Sequence, residues 1–338
     1  MSDQQKRSGP IRISDVARLA GVSAATVSRV LSRPGMVAEH TREAVLRAVR
    51  ESGYRMNHAA RNLRKQRTGA VVALVPNLGN PFFAPILAGL GRTLERAGYD
   101  LLVADTRSDG GHRRALRRFL DPSRADGIVL LDGLVDPGDL AEVEHAPPIV
   151  MACEWIESVR TPRVVFDNAA GTGLAARHLS DHGHTRIACI GGPEGNVLHL
   201  GRIEGVAQVL GHGAFTVFQG DFTLEAGKAA AQSWLSLPKD QRPTGIISFS
   251  DEMACAFIGE VQRRGISVPQ EVSVVGFDDI EMVKHMSPPL TTIRQPKRHI
   301  GQQAAETILA LIEGQAAPEM ILIAPQIMIR DSTGPAPR

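Results

Sequence analysis

The chain is poor in cysteine, has no long apolar run, and lacks the compact glycine and nucleophile motifs of common catalytic sites. Its three cysteines, Cys153, Cys189 and Cys255, are odd in number, far apart and set in apolar surroundings. That pattern suits reduced core thiols and argues against a disulfide framework or a cysteine metal cluster. Apolar stretches such as AVVALV at 70–75 have strand length, well short of the roughly 20 residues of a membrane span. The start MSDQQKRSGP lacks the apolar centre of a secretion signal, so a cytoplasmic protein with no membrane partner is expected.

The missing motifs narrow the chemistry further. IGGPEG at 190–195 and GLGRTLERAG at 89–98 look like phosphate loops, but neither spells GxGxxG, GxxxxGKS or GxxxxGKT, so no nucleotide cofactor is expected. His178 and His182 are an i,i+4 pair with His184 nearby. Without HExxH or a cysteine partner they are expected to be surface histidines, and no metal is assigned. No GxSxG elbow occurs. Two carboxylates in a cleft could hydrolyse a glycoside only at a defined separation. An enzyme is the competing class; the expectation is a non-enzyme, and turnover of the bound small molecule separates the two.

What is present is ordinary globular material, 338 residues with 43% hydrophobic and 22% charged side chains, enough for two or three domains. The net charge of +2 conceals an asymmetry. Residues 1–67 hold 14 Lys+Arg against 5 Asp+Glu, a net +9, and the remainder carries −7. Such a basic segment suits a polyanion, because each neutralised phosphate releases condensed counterions.

Three short helices are predicted in that basic segment. Ser14 can cap the first, with Val16, Leu19 and Ala20 inward and Gly21 as its stop. Ser23 can cap the second, whose Val27, Val30 and Leu31 share one face. The third runs from about His40 to Ser52 with Val45, Leu46 and Val49 inward and ends at Gly53. The short AGVS link leaves the first two helices crossed, a helix-turn-helix whose second helix enters the major groove by its N-terminal end. Ala24, Ala25, Ser28 and Arg29 lie away from the apolar face. Arg29 can pair bidentately with guanine, and the alanines offer methyl groups to thymine. Ser23, Thr26, Ser28, Thr41 and Tyr54 are candidates for holding phosphates and register.

The continuous run ISDVARLAGVSAATVSRVLSRPGMVAEHTREAVLRAVRESGYRMN, followed by HAARNLRKQRTGAVVALVPNLGNPFF, resembles the head, hinge and first core strand of LacI/GalR transcriptional regulators. The resemblance implies that NHAARNLRKQ is a hinge helix ordered when a homodimer docks on a pseudo-palindromic operator, with Asn57 and Arg61 at the DNA and Leu63 wedged into the minor groove. The residues agree. The segment 57–67 is polar and basic, with too little apolar surface to fold alone, and a leucine flanked by Arg61, Arg64 and Lys65 suits minor-groove kinking.

Beyond Gly69, strand-like stretches at 70–75, 100–105, 127–131, 148–152, 163–166, 186–191, 214–218, 245–249 and 272–277 alternate with helical ones. This is a doubly wound α/β pattern with parallel sheets, with too many strands for one sheet, and ligands bind such sheets at the carboxyl ends of the strands. The motifs DNAAGTGLAARHL, GPEGN, GRIEG, GDFTLEAG, SDEMA, VSVVGFDD and PPLTTIRQP resemble the two-lobed, periplasmic-binding-protein-like core of the same family. The implied organisation is a head at 1–56, a hinge helix at 57–68, a core at 69–332 and a disordered tail at 333–338. Within the core the N-lobe takes 69–167 and 296–324, and the C-lobe 168–295 and 325–332. By the same resemblance Phe82, Phe83, Arg202, Phe222, Ser250, Asp251, Asp278 and Gln295 line the cleft that holds a small-molecule effector. Asp132 and Glu154, at strand ends outside the matching motifs, are added as candidates.

A charged side chain facing another across a cleft can bind vicinal hydroxyls, and an aromatic ring can cover an apolar ring face. Asp278 and Asp279 could instead simply end a strand and cap a turn. GDFTLEAG, IVMACEW and IMIRDST resemble nucleoside-sensing cytidine repressors, while Asn196 and Leu198 depart from the purine type. A sugar or glycoside is the favoured effector and a pyrimidine nucleoside the alternative. The tail GPAPR has no leucine heptads.

Overall fold

A computed structural model describes residues 11–32, 34–54, 67–107, 111–141 and 146–337. The chain divides into two compact units, residues 1–66 and 67–338.

The first unit holds α1 (Ile13–Ala20), α2 (Ala24–Ser32) and α3 (Glu39–Ser52) around a small core of Val16, Ala17, Val27, Val30, Val45 and Ala48. Gly21 and Gly53 end α1 and α3 at φ 66°, the left-handed stop that glycine adopts without strain. Ser23 caps α2, its Oγ accepting the Thr26 N–H at 3.1 Å. Ser14, expected as the first cap, lies inside α1; Asp15 serves that end instead, accepting the Arg12 N–H at 3.0 Å. Leu46, expected inward, is 36% exposed, and Ala48 takes the inner place three residues after Val45.

The second unit is built on two six-stranded sheets. In the first, β1 (Ala70–Val75), β2 (Asp100–Asp105), β3 (Gly127–Leu130), β4 (Ile149–Ala152) and β5 (Arg163–Phe166) are joined by β11 (Met320–Ile323), in the order β11-β5-β4-β3-β1-β2. In the second, β6 (Ile187–Ile190), β7 (Thr216–Phe218), β8 (Gly245–Ser248), β9 (Ser273–Asp278) and β10 (Thr291–Arg294) are joined by β12 (Gln326–Met328), in the order β12-β10-β9-β8-β6-β7. Every pairing is parallel except β10 with β12. The chain passes between the sheets after β5, after β10 and after β11. Strands β10, β11 and β12 were not expected from sequence.

Helices cover both faces, so β1 reads as unbroken apolar sequence, all six residues buried. Val71, Ala73 and Val75 join the large core cluster, while Val72 and Leu74 face the smaller one with Leu116, Leu120 and Ile128. The helices of this unit are α4 (Phe83–Arg96), α5 (Gly111–Phe119), α6 (Pro137–Ala141), α7 (Asn168–Asp181), α8 (Val197–Leu210), α9 (Leu224–Ser236), α10 (Asp251–Arg263) and α11 (Lys297–Ile312). Glycines set the closest crossings. A Cβ on Gly89 would lie 2.2 Å from Arg298 O, and one on Gly301 2.1 Å from Ile86 O, so α4 and α11 meet backbone to backbone.

The tail is a correction. Residues 333–337, expected to be disordered, are pinned to the second lobe. Gly334 N donates to Ser273 Oγ at 3.1 Å, and Ala336 N donates to His182 O at 2.8 Å. The histidines expected at the surface make this anchorage: His178 Nε2 meets Thr333 Oγ1 at 2.9 Å, and His184 Nε2 donates to Gly334 O at 3.1 Å. His178 and His184 are buried, and burial lowers the proton affinity of both. The unfolded chain therefore takes up protons on these two rings first on acidification, so the stability they contribute should hold above about pH 6.5 and be lost below it. Thermal melts from pH 8 to about pH 5 test this: the double variant His178→Gln/His184→Gln should lose much of the acid-side decline.

Candidate functional site

In the first unit, α2 presents Ser23, Ala24, Ala25, Ser28 and Arg29 on its exposed side, with Val27 and Val30 buried beneath. Thr26 and Thr41 are half-buried, and Thr41 Oγ1 lies 3.0 Å from His40 Nε2. Tyr54 packs against the head's apolar core, a structural employment that spacing alone did not indicate. Asn57, Arg61 and Leu63 lie outside the described residues.

In the second unit a cavity open to solvent lies at the carboxyl ends of the strands. Phe82, Phe83, Glu154, Arg202, Phe222, Ser250 and Asp278 all line it. Arg202, on α8, is 3% exposed and held on several sides. Its Nε donates to Asn168 Oδ1 at 2.8 Å and its Nη1 to Phe249 O. The guanidinium lies 3.8 Å from the Phe277 ring centroid and 5.5 Å from that of Phe222. Burial lowers its pKa to about 10, with Asp278 and Glu154 opposing the shift. Asp278, at the end of β9, accepts Gln295 Nε2 on Oδ1 at 2.8 Å. Burial raises its pKa to about 6, against the pull of Arg202 and Lys297. Burial likewise raises Glu154, which accepts the Gly133 N–H at 3.0 Å and an Asn196 amide hydrogen at 3.3 Å.

Backbone strain gathers at the same place. The four non-glycine residues with positive φ among the described residues are Cys153, Phe222, Asp278 and Asp279. Three of these line the cavity and the fourth adjoins it. Such conformations cost about 1–3 kcal/mol each and persist where surrounding contacts impose them.

Asp132, Asp251 and Gln295 are corrections: expected at the cleft, they stand behind its lining. Asp132 accepts from Thr106 Oγ1 and from Leu134 N, the latter at 2.9 Å. Asp251, fully buried, accepts Thr292 Oγ1 at 2.6 Å and Ile280 N at 2.8 Å, and its pKa is raised by burial and by Asp278. Gln295 orients Asp278. Asp279 binds Arg294 Nε at 2.6 Å and Arg330 Nη2 at 2.5 Å, which holds its carboxyl below the usual range despite burial. Residues that sequence reasoning missed include Asn77, Asn80, Arg107, Cys153, Asp221 and Thr223. Most follow a strand end within a few residues, so the carboxyl-end rule for α/β sheets would have found them.

Two family models match the chain: "Bacterial regulatory proteins, lacI family" over residues 12–57 and "Periplasmic binding protein-like domain" over 176–333. The HTH-type transcriptional repressor CytR of Escherichia coli K12 is 35% identical over 340 residues, covering 98% of this chain and 99% of that protein. The repressor PurR of Aliivibrio fischeri MJ11 is 34% identical over 330 residues, covering 95% and 97%. Among solved structures, the Lac repressor dimer bound to operator and the anti-inducer ONPF matches with TM-score 0.83 and 27% identity, covering 96% of this chain and all of that one. The regulator CelR in complex with cellobiose matches with TM-score 0.71 and 30% identity, covering 95% and 99%.

A helix-turn-helix unit and a two-lobed core with a cavity at its strand ends define a DNA-binding transcriptional regulator. The chain belongs to the LacI family. No described helix is long and apolar enough to cross a membrane.

Proposed function

We propose that the protein is a cytoplasmic, homodimeric repressor whose affinity for a pseudo-palindromic operator is set by a neutral, hydroxylated effector, a sugar or glycoside, held between the core's lobes. The observation that carries this reading is Arg202 and Asp278 brought to one cavity wall beside Phe222. A guanidinium and a carboxylate together match the donor and acceptor sides of vicinal hydroxyls, and the ring covers an apolar sugar face. The lining holds Arg107 and Arg202 against Glu154, Asp221 and Asp278, so no cationic excess favours a phosphorylated ligand. The cellobiose complex of CelR supports a sugar. A pyrimidine nucleoside is the second reading, favoured by Glu154, a carboxyl with raised proton affinity that can pair with a base edge. The effector leaves chemically unchanged in either case.

In this reading the head spans 1–56, the hinge helix 57–68 and the two-lobed core 69–332. Ala24, Ala25, Ser28 and Arg29 face base edges; Ser23, Thr26, Thr41 and Tyr54 fix register on phosphates; Asn57, Arg61 and Leu63 act in the minor groove. Effector and operator are thermodynamically linked, so a ligand that weakens operator binding binds more weakly to the DNA complex. A mobility-shift titration with sugars and nucleosides tests the whole scheme. An unchanged shift and unchanged melting temperature with every neutral hydroxylated ligand would refute the effector reading. At the head, Arg29→Ala should relax preference at one base pair of each half-site, by about 1–3 kcal/mol. Polar replacements at Ala24 or Ala25 should change which bases are preferred. Operator selection that survives all three changes would transfer the readout to the hinge and DNA shape.

A further inference from the structure

His199 lies one turn before Arg202 on α8 and does not line the cavity. Its Nδ1 accepts the Gly192 N–H at 3.0 Å, which places the ring proton of the neutral imidazole on Nε2. From the other side, Gln219 Nε2 donates to Gly192 O at 2.9 Å. The dipeptide Gly191–Gly192 is thus pinned by its N–H to the helix that carries Arg202, and by its C=O to the segment that carries Phe222. Side chains are excluded there: a Cβ on Gly192 would come within 2.2 Å of the Phe222 ring, and one on Gly191 within 2.9 Å of His199 Cε1. Phe222 itself holds a strained φ of 68°, so its ring direction depends on the surface it rests against.

We propose that His199 is a positioning residue whose neutral Nδ1 holds the Gly191–Gly192 backbone as the floor of the Phe222 clamp, so that protonating His199 loosens the clamp and weakens effector binding. A protonated Nδ1 is a donor facing another donor, so the Gly192 N–H loses its acceptor at a buried position. Burial lowers the proton affinity of His199; Glu194 in the preceding loop raises it, and Arg202 on the same helix lowers it. The neutral form therefore prevails at neutral pH, and affinity is lost as pH falls through the imidazole's titration. By linkage, bound effector makes the ring harder to protonate. The inference rests on the reading of the cavity as the effector site.

Two arms test it. The first needs no ligand: Phe222→Trp places an indole on the clamp, and its emission is followed from about pH 8 to pH 5, with the signal of Trp155 and Trp234 subtracted from the unaltered protein. The emission should titrate, and adding His199→Asn should remove the imidazole's part of that titration and leave that of the Asp278 carboxyl, because the Asn Oδ1 can accept the Gly192 N–H but does not ionise. In the second arm, calorimetry with the sugar or nucleoside that binds best should show affinity falling on acidification in the unaltered protein and falling distinctly less in His199→Asn, where the Asp278 carboxyl still titrates. His199→Leu, which removes the acceptor, should bind about tenfold more weakly at neutral pH. An emission titration that is the same in the Asn variant as in its parent, or is missing from the start, overturns the role of His199. If no ligand binds at any pH, the effector reading falls, and the emission arm still decides whether His199 governs the clamp.

Discussion

Arg202→Leu is expected to abolish the effector response and to leave operator binding by the head in place. In a mobility-shift titration the variant should give one constant complex at every effector concentration at which the unaltered protein responds. The reason is the number of partners this side chain holds. It donates to Asn168 Oδ1 and Phe249 O, lies against Phe222 and Phe277, and offsets the charge of buried Asp278. Leucine keeps much of the packing against the rings and none of the donors. Removing one member of a buried charge pair costs about 3–5 kcal/mol, mainly because the other is left without compensation. The sign with pH follows from Asp278. Its raised affinity for protons means that the folded state gains on acidification and loses as pH rises, and removing Arg202 raises it further. The deficit in melting temperature should accordingly be larger at pH 8 than at about pH 6. A variant that still responds to effector would remove Arg202 from the site.

Gly205→Val is expected to be the most damaging single change to the second lobe. A Cβ at this position would lie 2.0 Å from Ala169 O and 2.4 Å from Thr172 Oγ1. The first of these is backbone within α7 and cannot swing aside. The same crossing brings Thr172 Oγ1 to Arg202 O at 2.8 Å and Asn168 to the Arg202 guanidinium. Forcing the helices apart therefore costs packing and displaces the effector-facing arginine together. A loss of about 3 kcal/mol or more is expected, seen as a fall in melting temperature of roughly 10 °C. Gly259→Ala is the internal control. It sits within α10 with its nearest neighbour, the Arg263 guanidinium, at 3.7 Å, and should be neutral or slightly stabilising by about 0.5–1 kcal/mol. Equal melting temperatures for the two variants would show that the α7–α8 crossing is not close-packed in solution.

Much of the site was legible in the residues because the signals were local. Ser23 as cap, the Val27/Val30 anchor and the outward Arg29 all follow from helical spacing within ten residues. The cleft was harder. The family resemblance brought Phe82, Arg202 and Asp278 to the cavity, and strand-end position brought Glu154, but neither says which way a side chain turns. Asp251 begins α10 and points back to the Ile280 N–H and the Thr292 hydroxyl instead of into the cavity. Asp132 and Gln295 are diverted in the same way. The histidines and the tail were misjudged together, because they meet across about 150 residues of chain and neither segment carries an apolar pattern of its own.

The sequence by itself determined the helix-turn-helix, the basic charge concentrated in residues 1–67 and the alternating α/β plan, since these depend on spacing, capping and charge over short stretches of chain. Only the tertiary structure decided which carboxylates line the cavity, that Gly205 and Gly192 leave room for a neighbour's backbone and a ring, and that His199 reaches Gly192. Those are contacts between distant segments at distances of a few ångströms, and they are set by how helices and sheets close-pack.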